Sequence, residues 1–167
     1  MIYDLNNPRL NSNFSTEYQM KDIRLQGDEF HISTDKSKLD IDAIHEFLST
    51  QAYWCLNIPK NKVKISIENS LCFGLYNKDK QIGFARIITD FSTIAYLGDV
   101  YILKEYRGKG LSKWLLETII NFPKLQGLRR WILLTGDAHE LYRKYGWTDL
   151  ADSNNWMELH NKNIYSK

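Results

Sequence analysis

The sequence predicts a mixed α/β (α+β) fold: a central, mostly antiparallel sheet flanked by helices, with one parallel strand-helix-strand crossover. Three observations point there. Residues 94–103 are β-branched or aromatic at half of their positions, with Ala95, Leu97 and Leu103 apolar besides, as a buried strand requires. They lead through a turn at Gly108 and Gly110 into a helical stripe, Leu111, Trp114, Leu115, Thr118 and Ile119, that Pro123 stops. Leu71, Phe73 and Leu75 alternate with Cys72, Gly74 and Tyr76, and a polar turn at 77–80 feeds residues 82–89, which makes a hairpin. Residues 130–135 are a further apolar strand, and a right-handed crossover sets it parallel to 94–103.

The remaining elements follow in order. Residues 1–27 are polar, rich in Asn and Ser and without sustained period, and read as an N-terminal arm, with residues 28–167 as a single domain. Residues 30–34 alternate as a short strand, and Leu39, Ile41, Ile44, Phe47 and Leu48 make a helical stripe to about residue 51. Pro59 opens a second helix to about Ile67, and a turn at 90–93 joins the hairpin to the strand before the glycines. Ala138, Leu141, Tyr142 and Tyr145 mark a short helix, with Gly146 suited to a left-handed cap. Trp147 and residues 156–160 are expected to supply closing strands.

Composition excludes several classes of function. The chain is of one-domain length, and its 13% aromatic content, including five Trp, argues for a packed core rather than disorder. A net charge of +2 announces no broad surface for nucleic acid or membrane. Cys55 and Cys72 are too few for a disulfide framework and lie in no Cys/His cluster, so they read as packed thiols and no metal site is expected. No stretch approaches the roughly 18 apolar residues of a membrane span, and residues 1–7 lack a signal-peptide pattern, so a soluble cytoplasmic protein is expected.

The turn at 107–113 carries the chemistry. A helix N-terminus there points unpaired N–H groups and a positive dipole end at one spot, where a phosphate or pyrophosphate can sit. Arg107, Lys109 and Lys113 surround that end. Positive side chains there oppose the dipole, and an anionic ligand reverses that balance. The plainer reading is a solvated basic loop capping a helix. The dinucleotide fingerprint fails because Lys113 stands where its third glycine belongs, and the P-loop spacing is absent. Arg107-Gly-Lys-Gly110-Leu-Ser112 instead resembles the Arg/Gln-x-x-Gly-x-Gly/Ala signature of the GNAT superfamily of N-acetyltransferases, with Ser112 in place of the last small residue. Independently, Leu141-Tyr142-Arg-Lys-Tyr-Gly146-Trp147 is similar to the family's C-terminal Leu/Phe-Tyr-x-Lys-x-Gly-Phe motif, with Trp for Phe. One helix and one strand separate the two motifs, and the resemblance covers roughly residues 29–160. Residues 84–90 resemble a bacterial subgroup whose substrates are mostly unassigned.

The resemblance implies acetyl-CoA as donor and a primary amine, more readily of a small molecule than of a protein, as acceptor, with direct attack in a ternary complex. It implies pantetheine contacts along Val100, Tyr101 and Ile102. It places the pyrophosphate on the backbone of Gly108, Lys109, Gly110, Leu111, Ser112 and Lys113, with added charge from Arg107. Tyr142 matches the tyrosine that protonates the departing thiolate, although on its own it reads as a core aromatic. No motif identifies the base: Asp99 on the strand beside the thioester, Asp90 at a turn near the acceptor mouth and His139 one helical turn before Tyr142 are within reach. Each also has an ordinary structural use, and a water chain is an alternative. Tyr53 and Trp54 fall where the family lines its acceptor site, and serve equally well as packing. Cys55 has no His placed to activate it, which disfavours an acyl-enzyme. A non-catalytic acyl-CoA sensor fits the same turn, and exposed apolar surface on the closing strands is compatible with a homodimer. Nucleic-acid binding through Arg107, Lys109, Lys113, Arg129 and Arg130 is disfavoured, since these charges are local.

Overall fold

The computed structural model describes residues 23–24 and 29–166. The expected arm, residues 1–27, lies outside the described residues except for 23–24. Among the described residues, six strands form one sheet in sequence order: β1 (Ile23–Arg24), β2 (Phe30–Ser33), β3 (Leu71–Asn77), β4 (Lys80–Thr89), β5 (Ile94–Ile102) and β6 (Arg130–Leu133). All neighbours are antiparallel except β5 and β6, the one pair joined by a helical crossover.

Helices cover both faces of the sheet. Asp40 starts α1 (Ile41–Thr50) by accepting the Ala43 N–H at 2.9 Å, and Pro59 precedes α2 (Lys60–Glu68). Ile44, Phe47 and Leu48 of α1 and Val63 and Ile67 of α2 pack on Cys72, Phe84 and Tyr101. The Phe47 and Tyr101 rings stack with centroids 3.8 Å apart. On the opposite face, α3 (Leu111–Ile120) buries Leu111, Leu115, Leu116 and Ile119 against Phe73, Ala85, Ile87 and Leu97. Each such apolar side chain contributes about 1.5–3 kcal/mol on burial. The period-two alternation of β4 sends Ala85 and Ile87 to the α3 side and Phe84 and Arg86 to the α1 side. The α1–α2 layer does not cover the whole of its face, so Ile88, two residues beyond Arg86, is exposed.

The expected closing strands do not form. Neither Trp147 nor residues 156–160 belong to a strand, and β6 ends the sheet among the described residues. Met157 and Leu159, the apolar face of the expected strand, are 95% and 104% exposed and have nothing to bury against. Trp156 leaves the sheet direction to place its ring under the Arg130 guanidinium, 5.2 Å from it. Trp147 packs edge-on against Trp131 and Tyr142, as a wedge behind α4 (His139–Arg143).

Gly83 marks where β4 passes closest to the end of β5. A Cβ there would lie 2.9 Å from the Tyr101 carbonyl oxygen and 2.7 Å from Ile102 Cδ1. Gly83→Ala should therefore push the strands apart and cost about 1–3 kcal/mol, read as a lowered thermal midpoint.

Candidate active site

The two parallel strands separate halfway along. β5 pairs with β6 from Ile94 opposite Arg130 to Leu97 opposite Leu133, and no further. Beyond Leu97, β5 keeps only β4 as a strand partner among the described residues, which leave one edge of residues 98–102 open. On the β4 side, Phe84 faces Tyr101 and Arg86 faces Gly98, which leaves Ala85 opposite both Asp99 and Val100. That is a β-bulge on β5, with Asp99 at φ 54°. Aspartate is among the few residue types that tolerate this left-handed conformation, and Gly98 before it eases the bend.

The bulge is pinned by charge. Arg86 Nε donates to Asp99 Oδ2 at 2.6 Å, and Arg86 Nη1 donates to Ser70 Oγ at 3.2 Å. Trp54 Nε1 donates to Asp99 Oδ1 at 3.2 Å. Both carboxylate oxygens thus face a donor, one of them a permanent cation. With both oxygens engaged in holding the bulge, Asp99 has a structural use that argues against its expected role as base. Beside Trp54, the Tyr53 ring stands edge-on at 5.0 Å, and its hydroxyl oxygen accepts the Gly136 N–H at 2.7 Å. The α1–α2 connection is in this way tied to both the β5 bulge and the loop that follows β6. Tyr53 and Trp54 are 56% and 44% exposed, so packing does not account for all of their surface.

At the other end of the open edge lies the glycine turn. Gly108 and Gly110 have φ of 79° and 78°, and a Cβ built on either meets nothing within 4 Å. Gly110 caps α3 without a side-chain hydrogen bond. No protein acceptor among the described residues takes the amides of residues 108–113. A row of free N–H groups at a helix start, facing open space, has the chemistry of a pyrophosphate cradle. The basic side chains are partly committed elsewhere: Arg107 Nε donates to the Ile102 carbonyl at 2.9 Å, and Lys109 Nζ sits 5.5 Å from the Tyr106 ring centroid. Leu111 is buried as the anchor of α3, while Ser112 and Lys113 stand at the rim. Val100 packs toward the α3 core, Ile102 is buried in it, and Tyr101 is buried under α1. Their backbones border the open edge.

Tyr142 is buried on α4. Burial pushes its phenol up to about 12, with Asp137, Tyr53 and Tyr96 adding to the shift. Burial likewise raises the Cys55 thiol to about 12, helped by the charge of Asp99, so Cys55 is no thiolate near neutral pH. Asp90, expected at the acceptor mouth, spends its carboxylate on its own turn. It accepts from Thr93 Oγ1 at 2.6 Å and from the amides of Ser92, Thr93 and Ile94, and these bonds hold it well below the usual carboxylate range. Two recesses, of about 570 and 290 Å³, flank β6 and Trp147 and include no residue of the glycine turn; the second reaches Tyr142 and His139.

Two functional features were missed in the sequence. Arg86 sat inside a stretch noted only for its resemblance, and the bulge had one signal, a Gly-Asp pair interrupting an apolar strand.

Comparison with known proteins gives this geometry its class. The sequence profile of the acetyltransferase (GNAT) family matches residues 41–147, so the chain belongs to that family. A Gibberella zeae protein carrying an acetyltransferase name is 37% identical over 138 residues, 70% of this chain and 77% of its own length. A GNAT-family crystal structure from Xanthomonas campestris pv. campestris superimposes with a TM-score of 0.81 at 46% identity, covering 83% of this chain and 97% of that one. A Clostridium acetobutylicum protein crystallised with acetyl-CoA shares the fold at a TM-score of 0.59 and 18% identity, covering 78% and 94%. The chain is an acyltransferase of the GNAT fold, and acetyl-CoA is the donor that the family uses.

The buried ion pair gives a test of the bulge. Arg86 and Asp99 side chains are 16% and 13% exposed, so Arg86→Met strands a nearly buried carboxylate and should cost about 3 kcal/mol. The double variant Arg86→Met/Asp99→Asn should recover part of that loss, measured by chemical denaturation.

Proposed function

We propose that the protein transfers an acetyl group from acetyl-CoA to a primary amine by direct attack, without an acyl-enzyme. The observation that carries this reading is the junction of three features where β5 and β6 separate: a cradle of free amides, an open strand edge and a protonated buried phenol. The amides of residues 108–113 hold the pyrophosphate, assisted by the dipole of α3 and the charges near it. The open edge of residues 99–102 pairs with the pantetheine amides as an added strand would. Bound acetyl-CoA supplies the acyl group as an activated thioester.

Tyr142 serves as the acid. With a phenol near 12 it remains protonated throughout the working range; a departing thiolate, whose own pKa is about 8.5, accepts a hydrogen bond from it and takes its proton only as a nitrogen proton of the attacking amine replaces it. The bulge leaves one residue of β5 outside the ladder, and its backbone N–H is free to polarise the thioester carbonyl. Tyr53 and Trp54 form an aromatic wall on the acceptor side. Cys55 is held as a neutral thiol by burial and donates to the Leu48 carbonyl at 3.4 Å, which supports direct transfer over a thiol-bound acyl group.

Tyr142→Phe should lower kcat about 100-fold or more while leaving acetyl-CoA affinity by calorimetry unchanged. An unaffected kcat would remove Tyr142 from the chemistry, and a wild type that binds acetyl-CoA but acetylates no amine would favour a sensor. Because the folded phenol titrates near 12, above its unfolded value of about 10, its contribution to stability is complete below pH 10 and fades as pH rises from 10 to 12. Wild type should lose more stability than Tyr142→Phe across that window, seen in denaturant midpoints. Gly110→Glu, which puts bulk and negative charge into the cradle, should abolish calorimetric binding of acetyl-CoA.

A further inference from the structure

We propose that Asp137 receives the acceptor: its carboxylate, on the loop that the Tyr53 hydroxyl ties down, binds the substrate as a primary ammonium ion and takes the proton that must leave before attack. This deepens the N-acetyltransferase reading and rests on it.

The other candidate carboxylates, and Glu140 of α4, are already committed. Asp99 is paired with Arg86 and bonded by Trp54, Asp90 caps its own turn, and Glu140 pairs with Arg143 at 2.7 Å. Asp137 is exposed and has neither an ion pair nor a hydrogen bond to its side chain among the described residues. Its position is nevertheless fixed. Gly136 N donates to Tyr53 Oη at 2.7 Å, and Ala138 N donates to Thr135 Oγ1 at 3.1 Å, which closes the loop on both sides of Asp137. A Cβ at Gly136 would lie 2.8 Å from the Tyr53 hydroxyl, so the approach requires glycine. The loop then enters α4, where Tyr142 N donates to the Ala138 carbonyl at 3.3 Å. Burial apart, the charge of Asp137 is the largest influence on the Tyr142 phenol, and Tyr53 is the next. Base, acid and aromatic wall therefore converge at one place.

The chemistry of this group is that of cation recognition. A free carboxylate next to the Gly136 amide that holds the Tyr53 hydroxyl, with the exposed Tyr53 and Trp54 rings edge-on to each other, can attract an ammonium ion by charge while the rings add cation–π contact. Exposed Leu134 offers apolar surface on the loop itself, three residues before Asp137, so the class of acceptor is a primary amine on an apolar or aromatic body.

The step balances as follows. Asp137 accepts one proton from the ammonium group, and the freed nitrogen lone pair forms the bond to the thioester carbonyl carbon. The carbon–sulfur bond breaks with its electron pair going to sulfur, and Tyr142 protonates that sulfur. A second nitrogen proton returns to Tyr142, leaving a neutral amide, and Asp137 releases its proton to water. Asp137 acts on the Tyr142 phenol of α4 together with Tyr53 of the α1–α2 connection and Tyr96 of β5, Tyr96 in turn feels the Arg86–Asp99 pair, and His139 follows Asp137 by two residues at the start of α4.

The test measures thiol release by the full-length protein at saturating acetyl-CoA from pH 6.5 to 9.5, with phenethylamine as the acceptor within a panel of primary amines. Asp137→Asn should lower kcat/KM about 100-fold at pH 7. The deficit should narrow about tenfold per pH unit as the amine, with a pKa of about 10, deprotonates in solution. Asp137→Glu should recover part of the rate, and acetyl-CoA affinity by calorimetry should be unchanged in both. An unaffected Asp137→Asn, a deficit that is flat with pH, or the same pH signature in His139→Gln instead would overturn the assignment. A wild type that binds acetyl-CoA but acetylates none of the panel would overturn the N-acetyltransferase reading and this inference together.

Discussion

The ion pair between Arg86 and Asp99 is the interaction on which the site depends. It sits where β5 must do two things at once: continue its ladder with β4 and part from β6. A regular strand would do neither well, because an edge strand that keeps its pleat also keeps presenting the same groups to its neighbour. The left-handed turn at Asp99 places one extra residue on β5, and the guanidinium on β4 fixes the carboxylate of that residue. Trp54 then bonds to the same carboxylate, so a loop between two helices takes its position from a distortion in the sheet.

From that point the molecule divides its labour between backbone and side chain. In the proposed function, recognition of the pyrophosphate falls to main-chain N–H groups at the start of α3, which are fixed in direction and need no rotamer to be ordered. The basic residues nearby are only auxiliary: Arg107 braces the end of β5, and Lys109 lies over aromatic rings. On the acceptor side the opposite holds. Tyr53 and Trp54 come from the α1–α2 connection and Tyr142 from α4, and the hydroxyl of Tyr53 bound to the Gly136 amide keeps the two segments together. Glycine at 136 is required by that contact rather than by its own φ.

The local motifs were legible because their information is local. The strand, glycine turn and helix at 94–120, and the helix and glycine at 139–146, needed only period, turn chemistry and caps, and the structure places both where a crossover requires. The closing strands were misread for a related reason. Residues 156–160 alternate as a strand does, but alternation says which side chains share a face and not whether another surface exists to cover them; here Met157 and Leu159 face solvent. Asp90 and Asp99 looked alike as aspartates at strand ends. One turned out to cap a turn four residues long, and the other to hold an ion pair across thirteen.

The sequence by itself determined the class of fold, the amide cradle and the family, because each is written in residues close together along the chain. Tertiary structure alone decided which carboxylates are free. That question turns on partners far apart in sequence: Arg86 for Asp99, and none for Asp137 among the described residues. An acid group's chemistry is set by the charges and burial around it, and those exist only once the sheet has brought β4, β5 and the loop into α4 to one place.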